Sequence, residues 1–208
     1  MMLDPPKDRR RRRTMAAVLA AAQELFGHVG YRAATIEAIA EAADVAVSSI
    51  YANFPGGKAD IYVALAWQLT GEHVKEMVAV VDGDGTQTGR AIAAFDAYID
   101  FHRTHPLALR LLSLHDVDST DTDLVRDARR RIDNELAGVS RQLIDLVASV
   151  VSPPATARPL VLHAWAAING AYALRRRGQV NDTDLDAILE LTRSHVRDAL
   201  EGEPCAHR

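Results

Sequence analysis

Apolar side chains recur three and four residues apart through most of the chain, and no stretch shows the strict alternation of a half-buried strand. Val18, Ala22, Leu25, Phe26 and Val29 set that period near the start. Composition points the same way. Ala and Leu, which lose little side-chain freedom in a helix, are abundant, while the aromatics that favour strands make up 5% of the 208 residues. With 48% hydrophobic and 25% charged residues, the chain has enough apolar mass for a sizeable core and the balance of an ordinary globular protein. An all-α protein of about nine helices is predicted.

Helix stop signals divide it. A first helix is expected from about Thr14 to His28, ending near Gly30, and a second, "IEAIAEAA", begins after a capping Thr35. A third runs from about Val47 to Phe54, before Pro55-Gly56-Gly57. Lys58 to about Val81 forms a longer helix, broken by "DGDGTQTG". Further helices are expected at Arg90–Thr104, Pro106 to about His115, Leu124–Val151, Pro159–Gly178 and Asp182–Glu201, the first of these ending where Pro106 pushes its predecessor out of the α region.

Charge is uneven. The formal net charge is −4, but in the first thirteen residues six cations stand against Asp4 and Asp8, a local balance of +4. A basic arm of that kind suits a polyanion. The run "RRRRRTMAAVLAAA" superficially resembles a secretory signal, yet its apolar part ends at Gln23-Glu24 while the helical period continues, so a folded amphipathic helix is expected instead. No apolar run is long enough for a membrane span, and the lone Cys205 allows no internal disulfide. A cytoplasmic location is expected.

Helix two, a short turn and helix three have the spacing of a helix-turn-helix, whose second helix enters the DNA major groove. Small residues at Ala46, Val47, Ser48 and Ser49 would let the start of that helix approach phosphates and base edges, with Tyr51 and Asn53 supplying reach. Spacing alone also fits a plain helical corner.

The stretch from Val18 to Ile61, "VLAAAQELFGHVGYRAATIEAIAEAADVAVSSIYANFPGGKADI", resembles the N-terminal domain of the TetR/AcrR family of bacterial transcriptional regulators. Ala21-Ala22, Leu25-Phe26, Gly30-Tyr31, Thr35, Ile39-Ala40, Ala43, Val45, Tyr51, Phe54 and Lys58 stand where that family's pattern has them. Departures are Ala34 for a second threonine, Asp44 for the common glycine, Ala46 for serine and Ser48 for a frequent glycine. Three residues rather than two separate Phe54 from Lys58.

The resemblance implies a DNA-binding domain over residues 1–57, with a basic arm at 1–13 and the helix-turn-helix at about 35–54. A ligand-binding and dimerisation domain over 58–208 would follow. It implies a homodimeric, ligand-responsive repressor, not an enzyme, that meets a near-palindromic operator through residues 35–58 and is released by a small-molecule effector. Thr35, Tyr51 and Lys58 would contact phosphates, residues 46–49 and Asn53 would face the groove, and Arg11 and Arg13 would extend the contact.

Other signals weigh less. Trp67, Phe95, Tyr98, Ile99, His102, Leu109, Leu112 and Leu143 could line a chamber for an apolar or aromatic effector, although the same residues also suit a plain core. Leu160, Ala164, Trp165, Ile168, Tyr172, Leu185, Ile188, Leu189 and Val196 mark the last two helices as a dimer interface, with intrachain core as the alternative. No nucleophile, dinucleotide or phosphate-loop motif is present, and no cofactor is expected. The alternative reading is an all-α enzyme or metal-binding helical protein using His102, His115 and Asp116, residue types that suit zinc or iron.

Overall fold

The computed structural model describes residues 8–202, and Lys7 of the basic arm and Cys205 lie outside them. Among the described residues it is helical throughout, with α1 (Arg9–His28), α2 (Gly30–Ala33), α3 (Ile36–Ala42), α4 (Val47–Asn53), α5 (Lys58–Val81) and α6 (Gln87–Thr104). After them come α7 (Ala108–Leu112), α8 (Asp123–Ala148), α9 (Ala157–Arg176) and α10 (Asp182–Glu201), with a 3-10 turn at Pro154–Thr156.

The largest difference from expectation is at the start. Helix α1 begins at Arg9, not Thr14, because the Asp8 side chain accepts a hydrogen bond from the Arg10 N–H at 2.8 Å and so caps a helix of strong helix formers. Arg9 to Arg13 are therefore the opening turns of α1 rather than a loose arm. The short α2 was also unanticipated; it starts at Gly30, whose φ of +81° needs a residue without a Cβ. Both ends of α5 and α10 fall where the punctuation put them, α10 being held by a reciprocal cap between Asn181 and Asp184.

Contacts divide the chain into two compact units. One comprises the described residues up to Glu72 together with Pro106–Glu135, and the other His73–His105 together with the described residues from Leu136 onward. The first unit thus joins the predicted head to a segment some fifty residues further along the chain.

In the first unit α1, α3 and α4 pack on one another around Val18, Phe26, Ile39, Ile50 and Phe54, all buried. Asp44, in the turn between α3 and α4, has φ +52°, the left-handed conformation that a glycine would supply without Cβ strain. In the second unit α9 packs on α10 and both on α6, around a core that includes Met77, Phe95, Ile99, Leu143, Ile168 and Val196. Tyr98 donates to the Asn169 side chain at 2.8 Å and Tyr172 to the Ile99 carbonyl at 3.0 Å, while Arg193 holds Asp96 at 2.6 Å.

Candidate functional site

The head presents a bare helix start. Ala46 and Ser48 are exposed and Val47 and Ser49 half-buried, and α4 has no side-chain cap hydrogen bond. Thr35 is exposed too, its hydroxyl oxygen accepting from the Ala38 N–H at 3.1 Å as the cap of α3. Tyr51 is 48% exposed, a large ring left in solvent on the recognition helix. It lies beside Gly57, where a Cβ would come within 3.3 Å of the ring. Gly57 also needs its positive φ, +61°, so the second glycine of Pro55-Gly56-Gly57 both turns the chain and makes room for Tyr51.

Three residues expected to contact DNA, Arg11, Asn53 and Lys58, also make hydrogen bonds inside the protein. Asn53 is buried; its amide donates to the Ser49 carbonyl at 2.7 Å and its oxygen accepts from Arg11 Nε at 2.9 Å. Asn53 and Arg11 therefore fasten the end of α4 to the start of α1. Lys58 likewise has its three ammonium donors on three carbonyls, Tyr31 and Ala34 at 2.7 Å and Arg32 at 3.3 Å, with the Tyr31 ring 4.6 Å away. It satisfies the acceptors left at the end of α2, and burial lowers its pKa.

Lys58→Met should accordingly lower stability by about 1.5–3 kcal/mol, the range for hydrogen bonds to a charged group. That corresponds to a Tm lower by roughly 3–12 °C in a protein of this size. A lysine used only for phosphate would leave the melt unchanged, so a thermal scan without DNA distinguishes the roles.

A polar network behind the recognition helix was not legible in the sequence. Asp60, buried at the start of α5, accepts from the Gly56 N–H at 2.6 Å and from the Thr122 hydroxyl at 3.0 Å. Tyr62 hydrogen-bonds to Asp116 at 2.9 Å and to the Arg110 carbonyl at 2.8 Å, and Arg110 pairs with Asp116. Burial opposes the charge on Asp116, but the hydrogen bonds from Arg110 and Tyr62 outweigh it and hold the carboxyl below its usual range. Phe26, Tyr31 and Tyr62 stack alongside, with centroids 5.0–5.8 Å apart, and burial raises the Tyr31 hydroxyl to about 12.

The Asp116 carboxylate is committed to Arg110 and Tyr62, and among the described residues no three His, Cys, Asp or Glu side chains gather as a metal-holding group.

The expected effector residues divide between the units. Trp67, Leu109 and Leu112 belong to the first, Trp67 with the Arg131 guanidinium 5.9 Å over its ring. Phe95, Tyr98, Ile99, His102 and Leu143 belong to the second, where Phe95, Tyr98, Ile99 and Leu143 share one core and the His102 ring meets Tyr98 edge-on at 4.6 Å. His73, which is outside the expected set, joins them: its ring lies 5.6 Å from Tyr98 and 4.5 Å from Phe101.

The nine expected dimer residues lean inward. Ala164, Ile168, Leu189 and Val196 are buried in the second unit, and Leu160, Trp165, Tyr172, Leu185 and Ile188 pack partly buried against its core. The large apolar side chains left exposed on α9 and α10 are Leu162, Leu174 and Leu191, the last 72% exposed.

An exposed helix that follows a short turn, on a head of packed helices, defines a helix-turn-helix DNA-binding protein. Residues 18–65 match the family model of bacterial regulatory proteins of the tetR family, and residues 91–197, just over half the chain, match the tetracyclin repressor-like C-terminal domain. The chain belongs to the TetR family: it is a DNA-binding transcriptional regulator with a ligand-binding C-terminal domain, not an enzyme.

No curated protein matches it. Among solved structures it is similar to the fatty acid degradation regulator FadR of Bacillus halodurans (16% identity, TM-score 0.69, covering 94% of this chain and 97% of that one). It is also similar to a TetR/AcrR-family regulator of Thermobifida fusca (17%, 0.67, 97% and 100%). A third is FadR of Bacillus subtilis in complex with stearoyl-CoA (18%, 0.64, 91% and 99%). At these identities the likeness is one of fold.

Proposed function

We propose that the chain is a homodimeric repressor that binds a near-palindromic operator through residues 35–58 and releases it when a small molecule occupies the C-terminal domain. The observation that carries this reading is the exposed face of α4, where Ala46, Ser48 and the half-exposed Tyr51 stand clear of the head's core. Two such helices related by a two-fold axis meet successive major-groove faces about 34–36 Å apart, or a multiple of it. Exposed Leu162, Leu174 and Leu191 support α9 and α10 as the dimerising face. The head at residues 1–57 is read as the part that touches DNA, with Thr35, residues 46–49 and Tyr51 as its contacts and Arg13 as an outlying cation. No helix among the described residues is long and apolar enough to cross a membrane, which accords with a cytoplasmic regulator. A relative of the same fold holds stearoyl-CoA, which supports a small-molecule effector here too. A ligand that prefers the protein off DNA lowers operator affinity by its differential binding to the two states.

Selection of bound sequences from random duplexes tests the reading. An enriched palindrome is expected, and no enrichment at modest salt overturns it. Tyr51→Ala should then weaken the selected operator about 10- to 100-fold, the loss of one hydrogen bond to a charged phosphate. Its Tm should stay within about 2 °C of wild type, because a surface substitution costs little. A large fall in Tm instead would make the ring a packing residue.

A further inference from the structure

Besides Nε of Arg90, three ring nitrogens buried in the second unit have no hydrogen-bond partner: Nδ1 of His73, Nε2 of His102 and Nε1 of Trp165. They come from α5, α6 and α9, and their rings all border one side chain, Tyr98, at centroid distances of 5.6, 4.6 and 5.9 Å. Buried polar atoms are almost always paired, so three orphans converging on one ring are a feature to explain. The ordinary remedy, a neighbouring protein group, has been taken elsewhere. Asn169 accepts from Tyr98, and Tyr172, whose ring lies 5.6 Å from His102, donates to the Ile99 carbonyl.

We infer that His73, His102 and Trp165 around Tyr98 form the recognition site for an uncharged, flat ring compound bearing a hydroxyl or carbonyl oxygen. This rests on the reading of the chain as an effector-responsive regulator. The oxygen follows from the donors: the indole N–H can only donate, and a neutral imidazole nitrogen donates or accepts according to its tautomer, so a hydroxyl or carbonyl oxygen is the kind of partner these nitrogens lack. The ring follows from the walls, because Tyr98, Trp165 and Tyr172 favour offset or edge-on packing against another flat π-system. Neutrality follows from the charges. His73 and His102 are 4% and 3% exposed, and burial, aided by His105 for both and by His73 for His102, lowers both to about 4. The cations Arg103 and Arg193 are paired with Asp100, Asp186 and Asp96. A fatty acyl chain would leave all three nitrogens unpaired, and a site built to hydrogen-bond a hydroxyl rejects the analogue that lacks one.

The test is titration of the full chain, followed by Trp165 fluorescence and calorimetry, with 2-naphthol, naphthalene, 2-naphthoate and dodecanoate as probes. Saturable binding of 2-naphthol at least about 30-fold tighter than naphthalene is expected, the effect of one to two hydrogen bonds at roughly tenfold each. Dodecanoate and 2-naphthoate should bind more weakly than 2-naphthol. In His102→Phe and in Trp165→Phe, each a ring-for-ring change that removes one orphan, the preference for 2-naphthol should fall to within about threefold. The inference is overturned if 2-naphthol fails to saturate below about 1 mM, if naphthalene or dodecanoate binds as tightly in the wild type, or if both variants keep the full preference. Operator binding by the unliganded wild type is measured in parallel. Intact operator binding without the naphthol preference overturns this inference alone, whereas the preference without operator binding overturns the regulator reading alone.

Discussion

Acidification from pH 7 to pH 5 should destabilise the protein by about 4 kcal/mol through His73 and His102 alone, and by about 6 kcal/mol by pH 4. Both rings are buried, and both have folded pKa values of about 4 against an ordinary value of 6.5. The unfolded chain therefore binds more protons than the folded one throughout that interval. Stability is fully present above pH 6.5 and is lost as the pH falls towards 4, the direction expected of histidines buried neutral. Over the two decades to pH 5 each ring contributes a loss of about 2 kcal/mol, which together correspond to roughly 8–16 °C in Tm for a chain of this length. Thermal unfolding of the wild type and of His73→Phe/His102→Phe across pH 7 to 4 measures it. The difference between the two curves isolates the histidines from carboxylates such as Asp116, whose lowered pKa places its own loss at more acid pH. Parallel curves would mean that the rings are solvated or already protonated in the folded protein.

The second large effect concerns the arginines that open α1. Arg9, Arg10 and Arg13 are exposed, and Arg11 Nε is fastened to Asn53 at the end of the recognition helix, so the cationic turn is held beside the helix proposed to enter the groove. Each phosphate neutralised adds about 0.9 to the slope of log affinity against log salt. If Arg9, Arg10 and Arg13 all engage, Arg9→Gln/Arg10→Gln/Arg13→Gln should reduce that slope by about 2 to 3 and weaken binding in about 0.1 M salt by on the order of several hundred-fold. Glutamine is nearly as good a helix former as arginine, so the opening turns of α1 should persist. Because phosphate contacts carry no base information, operator and random duplex should weaken alike. Salt titrations of both proteins on both duplexes decide it, and equal slopes would leave these arginines as a solvated helix face. Deleting the segment would be a poorer experiment, since it would also remove Arg11 from Asn53 and disturb α4.

The sequence by itself determined what local physics controls. A period of three and four residues placed the helices, and Thr35, Gly30 and the Pro55-Gly56-Gly57 break marked ends, because caps and turns act within a few residues of themselves. Small residues at the start of α4 and the family pattern around Tyr51 and Phe54 were legible for the same reason. The arginine run was misjudged only in form: its charge was plain, but its helix depends on one carboxylate, Asp8, reaching one N–H. Tertiary structure decided how individual side chains are used. Lys58 and Asn53 looked free to reach DNA until folding brought carbonyls 24 to 27 residues away to the one and an arginine 42 residues away to the other. The Tyr62–Asp116–Arg110 network spans 54 residues, and His73, His102 and Trp165 share no local spacing at all. Hydrogen bonding and desolvation act over a few ångströms of space whatever the separation along the chain, so only the folded arrangement of α5, α6 and α9 could bring those three nitrogens around one tyrosine.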